Sequence, residues 1–251
     1  MLQIVLSGCN GKMGRVITDI VNKRDDLAIC AGVDLDTSSN GPFPVFKNFS
    51  DIKCDADVII DFSTPVLIGS ILQFAKERKI PVVIATTGYS DEQIALIKEA
   101  SKEIPVFFSF NMSLGINLLA ELSRKAAAIL GDFDIEIIEK HHNQKVDAPS
   151  GTAILLANEI NDELSGKMSF EYDRHLKREK RTKTEIGIHS VRGGTIVGEH
   201  EVIFAGRDEI ITLSHSARSK EVFAVGAVNA ATFIATKDKG LFSMKELVSS
   251  K

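Results

Sequence analysis

The segment "VLSGCNGKMGRV", Val5 to Val16, decides how the first half of the chain is read. An apolar run from Leu2 leads into glycines at 8, 11 and 14, and an amphipathic stretch follows at once. A strand that turns through glycines into a helix is suited to holding a phosphate. The backbone approaches closely where no Cβ intervenes, and the helix start offers unpaired N–H groups and the positive end of its dipole. The GxxGxxG spacing is a relative of the dinucleotide fingerprint and carries little weight alone. Its setting adds weight, because Asp34 closes the next apolar run about where an acid meets a ribose. The alternative is a tight strand–helix turn with no ligand.

Working outward, short apolar runs alternate with helical patterns. Strand candidates are Gln3 to Ser7, Ala28 to Val33, Asp57 to Asp61, Pro81 to Ala85 and Val106 to Ser109. Amphipathic segments such as "PVLIGSILQFAKERK" and "SDEQIALIKEAS" lie between them, which predicts a parallel sheet with crossover helices. "DVIID" and "PVVIA" are apolar on both faces, as strands covered by helices on both sides are. The pattern changes after Asn111. A helix over Leu114 to Ile129 precedes a strand from Asp134 to Glu139, and Ser150 is placed to cap a second helix, "SGTAILLANEIN". A polar segment, Ser165 to Lys183, follows. Three alternating runs, "TEIGIHSVRGG", "TIVGEHEVIFAG" and "EIITLSHSA", predict an antiparallel meander. The last helix, Lys220 to Thr236, is apolar enough to pack back on the first half. The expected fold class is α/β: a Rossmann-like doubly wound parallel sheet plus an α+β domain with a mostly antiparallel sheet. The expected domains are 1–112 with 220–251 for dinucleotide binding, and 113–219 for substrate binding and oligomerisation.

Composition narrows the function classes. The chain has 251 residues, 44% hydrophobic and 25% charged, with a net charge of -4. That excess of acid argues against nucleic-acid or membrane-surface partners, which favour a basic face. The one basic segment, "HLKREKRTK" from His175 to Lys183, reads as a solvated loop. Three cysteines, Cys9, Cys30 and Cys54, form no metal spacing and read as reduced thiols, which fits the cytoplasm. The apolar run from Val222 to Ala235 is too short to span a bilayer, and no signal peptide is visible.

Other loops at the ends of the expected strands are "DFSTP" with Phe62, "ATTG" with Ala85, Thr86 and Thr87, and "SFNMS" with Ser109, Phe110, Asn111 and Met112. In a doubly wound sheet these line the nucleotide crevice. Asp34 accepts from ribose hydroxyls and repels a 2′-phosphate, while Leu35 offers no cation. Lys12 is the nearby cation that tolerates a phosphate. NADH is therefore expected to be preferred, with some use of NADPH. Cys9, beside the helix start, reads chiefly as small filler.

The densest chemistry lies in "EKHHNQKVDAPSGTA", residues 139 to 153. His141 and His142 point to opposite sides of an extended chain and match no metal spacing, so no metal is expected. Ser150 is not in a nucleophile elbow. An anion site fits better: Ser150, Gly151 and Thr152 open a helix whose free N–H groups hold a carboxylate. Lys145 with His141 and His142 adds positive charge and proton-transfer capacity. This suits a small substrate with more than one carboxylate and, beside a nicotinamide domain, hydride transfer. The alternative is a hydrated charged loop with a capped helix.

These blocks resemble the 4-hydroxy-tetrahydrodipicolinate reductase (dihydrodipicolinate reductase) family of bacterial lysine and diaminopimelate biosynthesis, over essentially the whole chain. "EKHHNQKVDAPSGTA" is similar to the family's E-x-H-H-x-x-K-x-D-A-P-S-G-T-A signature, "GCNGKMG" to its glycine loop, "DFSTP", "ATTG" and "FNMSLGIN" to its cofactor loops, and "VRGGTIVGEHEVIF" to a later signature. The resemblance implies that His141 donates or accepts a proton and Lys145 donates one. It implies that His142, Gly151 and Thr152 bind substrate. It implies that Gly8, Cys9, Asn10, Gly11, Lys12, Met13, Asp34, Ala85 to Thr87 and Ser109 to Met112 contact NADH or NADPH. It further implies a homotetramer built through the antiparallel sheets. Leu35, Thr64, Phe110 and Met112 depart from residues common in the family, and the departures bear on cofactor preference rather than on the reaction. Homoserine and semialdehyde dehydrogenases fit less well. The first lack the HHxxK…SGT block, and acylating members of the second need a cysteine in the catalytic domain, whereas all three here precede Asp61. A non-catalytic nucleotide sensor has no use for Lys145 or the paired histidines.

Overall fold

A computed structural model of the chain describes residues 1–39, 41–175 and 177–250. Leu176, inside the basic segment, and Lys251, at the end of the expected nucleotide domain, lie outside the described residues, as does Asn40. The chain divides into two compact units, Met1–Ser113 with Glu221–Lys251, and Leu114–Lys220.

The first unit runs β1 (Leu2–Ser7), α1 (Lys12–Val21), β2 (Leu27–Val33), β3 (Val45–Phe46), β4 (Val58–Asp61), α2 (Ile68–Arg78), β5 (Val82–Ile84), α3 (Asp91–Ala100) and β6 (Pro105–Phe108). The second follows: α4 (Leu114–Ile129), β7 (Asp134–His141), α5 (Gly151–Glu163), β8 (Ser169–Glu171), β9 (Glu185–Arg192), β10 (Gly198–Ala205) and β11 (Ile210–Ala217). The chain then returns to the first unit with α6 (Glu221–Ile234), β12 (Gly240–Phe242) and α7 (Met244–Ser249).

In the first unit seven strands pair in the order β12-β6-β5-β4-β1-β2-β3, every pair parallel. The chain builds outward from β1 to β3, then crosses back to β4, so the order reverses between β1 and β4. That is the switch point of a doubly wound fold, where strand ends splay open for a ligand. Ile4, Val5, Leu6, Ile59, Ile60, Val82, Val83 and Ile84 have no exposed surface. Each such side chain contributes about 1.5–3 kcal/mol on burial, and together they require helices over both faces. α6 lies over β4, β5 and β6. It approaches so closely at Gly226 that a Cβ there would lie 1.6 Å from the Met112 carbonyl. β3 and β12, of two and three residues, are too short for periodicity to announce.

The sheet of the second unit has the order β11-β10-β7-β9-β8 and is mixed: two ladders are antiparallel and two parallel, and the antiparallel pair holds the larger share of the paired residues. The expected meander holds only for β10 and β11. β9 does not pair with β10. Instead β7 lies between them, antiparallel to β10 and parallel to β9. The reason lies in β7 itself. Its inward positions are Ile135, Ile137, Glu139 and His141, all buried, and a buried acid and imidazole need donors and acceptors from neighbours on both sides. Strand β7 also continues to His141, beyond the Glu139 expected from pattern. Ile135, Ile137, Ile186, Ile188, Val202 and Phe204 form one apolar face, covered by α4 and α5 through Leu119, Leu156 and Ile160 among others.

Several cations in and just before the basic segment meet acids. Arg174 meets Glu185 at 2.8 Å, Arg181 meets Asp134 at 2.7 Å and Glu136 at 3.2 Å, and Lys177 meets Glu171. Cys30 stands at a bulge in β2 with its sulfur 2.7 Å from that of Cys54, and all three cysteines are free. Among the described residues there is no group of metal-ligating side chains, and no helix is long and apolar enough to cross a membrane.

Candidate active site

The glycine turn is tightly built. Gly8 has φ +76°, a conformation that favours glycine, and a Cβ there would lie 2.4 Å from the Phe62 carbonyl. This brings the turn after β1 against the turn after β4, at the switch point. A Cβ on Gly14 would lie 2.2 Å from the Gly8 carbonyl, whereas one on Gly11 would meet only that same oxygen at 3.2 Å. Helix α1 starts with Gly11 as N-cap, and no side chain caps its N–H groups. They are open to a phosphate.

Asp34, at the end of β2, accepts the Asn10 N–H at 3.0 Å, which locks the acid against the glycine turn. Asn10 also donates to the carbonyls of Asp36 and Ser38 at 2.6 and 2.8 Å. Lys12 is exposed. The structure brings a second cation to this corner: Arg15, whose Nε donates to the Asn10 carbonyl at 3.2 Å. Sequence spacing did not single Arg15 out, because it lies one helical turn beyond the loop. Leu35 is 86% exposed and uncharged. These features, the uncapped helix start, the turn with no room for a Cβ and the acid held beside it, suit a pyridine nucleotide.

Cys9 is buried, and its sulfur fills the space beside Gly32. Burial, and then the nearby Asp34 carboxylate, push its thiol up to about 11. It is packing, and only its main chain can face a ligand; the same holds for the side chain of Met112. Phe62 is half-buried, and its N–H donates to the Ser7 carbonyl at 3.0 Å. Ala85 and Thr86 are buried and Thr87 is exposed. Asp61 organises this group and was not anticipated as a hub. It has no exposed surface and accepts from Ser63, from Thr86 Oγ1 at 2.6 Å and from Tyr89 at 3.3 Å. Burial raises its carboxyl above the ordinary value. Ser109 Oγ donates to the Asn111 carbonyl at 3.2 Å, and Asn111 Oδ1 accepts the Ser113 N–H at 2.9 Å. Phe110 is 71% exposed and rests edge-on against Phe108.

In the second unit, residues 139–153 run from the end of β7 through a loop to the start of α5. Ser150 is the N-cap of α5, its Oγ accepting the Ala153 N–H at 3.2 Å. Gly151 is exposed, and a Cβ there would point into open space. The protein itself places no demand for glycine at this position. Thr152 follows, half-buried. Lys145 Nζ lies 2.8 Å from Asp147 Oδ1, and its main chain bonds the His142 carbonyl. His141, the last residue of β7, is buried, and His142, just beyond the strand, is half-buried.

Behind them is a buried polar cluster that sequence reasoning missed. Glu139 has no exposed surface and is bonded by Arg192 through two N–H groups, at 2.8 and 2.6 Å. It also meets His141 Nδ1 at 2.6 Å and the Ser150 N–H at 3.1 Å. Burial pushes its carboxyl up, but the hydrogen bonds from Arg192, Ser190, His141 and Ser150 prevail and hold it at about 2. His200, from β10, lies 3.1 Å from Ser150 Oγ and edge-on to His141. Burial, then the neighbouring His141, push it down to about 4. The signal was legible: Glu139 falls in phase with Ile135 and Ile137, and His200 with Val202 and Phe204. A charge in the apolar register of a strand needs a partner.

A glycine-turned doubly wound sheet and a second, α+β unit carrying cations at a helix start define a pyridine-nucleotide-dependent oxidoreductase. Solved dehydrogenases share the fold. One is a diaminopimelate dehydrogenase of C. glutamicum, at 14% identity and TM-score 0.59, covering 100% of this chain and 96% of that one. Residues 2–112 match the family described as dihydrodipicolinate reductase, N-terminus, and residues 115–248 the one described as dihydrodipicolinate reductase, C-terminus. A 4-hydroxy-tetrahydrodipicolinate reductase of Caldanaerobacter subterraneus subsp. tengcongensis is 52% identical, over 99% of this chain and 98% of its own. That of Clostridium novyi is 50% identical over the full length of both. Dihydrodipicolinate reductase from Paenisporosarcina sp. TG-14, solved with dipicolinate bound, superposes with TM-score 0.82 at 26% identity over 97% of each chain. The chain belongs to the dihydrodipicolinate reductase family.

Proposed function

We propose that the chain reduces 4-hydroxy-tetrahydrodipicolinate to tetrahydrodipicolinate, with loss of water, in the diaminopimelate route to lysine. One hydride and one proton enter the ring and one water leaves. The reduced nicotinamide nucleotide, bound at the glycine turn, supplies the hydride. Family membership supports the reaction. The observation that carries the substrate class is the start of α5, where Gly151 and Thr152 follow the capping Ser150 at a helix N-terminus, at the end of the segment that carries Lys145, His141 and His142. This is a cradle for a carboxylate with cations at hand for a second one. His142, Ser150, Gly151 and Thr152 are assigned to substrate binding, and His141 and Lys145 to proton handling. Gly8 to Met13, Asp34, Phe62, Ala85 to Thr87 and Ser109 to Met112 are assigned to the nucleotide. The enzyme is assigned to the cytoplasm. It is assigned to a homotetramer through its five-stranded sheet, whose edge strand β11 exposes Ile210 and Ile211.

The test couples the purified protein to the product of dihydrodipicolinate synthase and follows nucleotide oxidation. Absence of turnover with either nucleotide refutes the assignment. The same assay decides cofactor preference. The Asp34 carboxylate beside the turn and the uncharged Leu35 favour a free 2′-hydroxyl, so kcat/KM is expected to be higher with NADH. Lys12 and Arg15 leave some activity with NADPH. A strong NADPH preference contradicts this reading of Asp34.

A second prediction separates binding from stability. Gly151→Ala meets no protein atom, so its melting temperature should equal that of the parent. A methyl group at the cradle should raise the Kd for dipicolinate, a planar dicarboxylate, by about tenfold, or ~1.4 kcal/mol. Unchanged dipicolinate affinity removes the start of α5 from the binding site.

A further inference from the structure

Every oxygen of Glu139 is engaged, and none of its surface reaches solvent. Oε1 accepts the Ser150 N–H and Arg192 Nη2; Oε2 accepts Arg192 Nη1 and faces His141 Nδ1 at 2.6 Å. With this many donors the carboxylate is ionised at neutral pH, and an ionised carboxylate only accepts. The imidazole nitrogen that faces it therefore carries the hydrogen. In a neutral ring the other nitrogen then has none. That nitrogen, Nε2, lies against Gly198, where a Cβ would come within 3.1 Å of it, so the glycine leaves the ring its place. Burial lowers the proton affinity of His141, and Lys145 and Arg192 lower it further, against the opposing pull of Glu139. His200, the other titratable group against the ring, is neutral in this setting.

We propose that Glu139 is a positioning residue of the reduction: it fixes the proton of His141 on Nδ1, leaves Nε2 as the accepting nitrogen, and so assigns delivery of the proton to Lys145. Arg192 extends the device. The same Nη2 that bonds Glu139 donates to the Asp147 carbonyl at 2.7 Å, and Asp147 holds Lys145. One buried ion pair thus sets the imidazole on one side and the lysine loop on the other. The arrangement parallels other sites in which a buried carboxylate selects a histidine tautomer.

This deepens the reductase function proposed above, so the primary readout uses no turnover. Nitrogen-15 NMR of the histidine side chains of the full wild-type chain at neutral pH should show His141 protonated at Nδ1, its signals identified by their loss in His141→Gln. A wild-type spectrum with the proton on Nε2 overturns the proposal, whether or not any variant folds. In Glu139→Gln the fixed acceptor becomes an amide that can donate or accept. The proton of His141 should then distribute over both nitrogens, and kcat should fall at least about tenfold. The KM for substrate and the Kd for NADH should stay within about twofold. A Glu139→Gln protein that keeps the Nδ1 proton and full kcat also overturns the proposal. Wild-type protein with the Nδ1 proton in place and no turnover would instead refute the reductase function, and with it any catalytic role for Glu139.

Discussion

Lys145→Ala should lower kcat by about a hundredfold or more, the usual scale for losing a general acid, while the Kd for NADH stays unchanged. The lysine sits in the loop between β7 and α5, its ammonium held by Asp147 and its side chain 22% exposed. Lys140, His141 and His200 are poorly suited to replace it. Lys140 lies across the strand, bound to Glu201 at 2.8 Å and Glu199 at 3.4 Å. His141 is held below its ordinary proton affinity by burial. His200, pushed to about 4, carries no proton to give at neutral pH. The pair with Asp147 is partly exposed and worth only about 0–1 kcal/mol, so the melting temperature should barely move. A large loss of kcat with intact folding and NADH binding is the expected combination. Near-normal turnover in the purified variant removes Lys145 from the chemistry.

Gly14→Ala should damage nucleotide binding and stability together. The added methyl would stand 2.2 Å from the Gly8 carbonyl and 2.5 Å from that of Cys9, both backbone atoms that no rotamer change can move. Overpacking of this kind costs about 1–3 kcal/mol or more, and relief requires the turn to open. Opening it displaces the N–H groups offered to the phosphates and the Asn10 N–H that holds Asp34. The Kd for NADH should rise at least tenfold, about 1.4 kcal/mol, with a lower melting temperature. Gly11→Ala, with a single contact at 3.2 Å, is the matched control for stability and should lower the melting temperature far less. Equal losses of melting temperature from the two substitutions would show that the packing of Gly14 does not hold the turn.

The parallel sheet was legible because its strands are continuous apolar runs between amphipathic helices, with glycines marking the turn after β1. The second sheet was legible strand by strand but not in its order. Alternation shows which side chains of a strand face inward, and says nothing about which strands are neighbours. The insertion of β7 between β9 and β10 follows from Glu139 and His141 on its inward face, a signal present in the sequence and not used. Ser150, Gly151 and Thr152 could be placed at a helix start from capping chemistry alone. The links among Glu139, Arg192, Ser150, His200 and Asp147 could not, since they join residues up to 53 positions apart through side-chain geometry. Asp61 was likewise hidden, because an acid ending an apolar run looks like a turn residue until Thr86 and Tyr89 are seen to close on it.

The return of the chain to its first unit bears on how the protein is made. During synthesis the strands from β1 to β6 emerge first, yet α6 and β12 come last, after the whole second unit. Until then Val83 and Phe107 lack the cover of α6, and one edge of β6 has no partner. A nascent chain that has emerged as far as Lys220 therefore carries a finished second unit and an unfinished first one, with an apolar face and an open strand edge exposed to aggregation. Ribosome-bound intermediates of this kind should be resistant to protease in the second unit, sensitive in the first, and reliant on chaperones until α6 and β12 clear the exit tunnel.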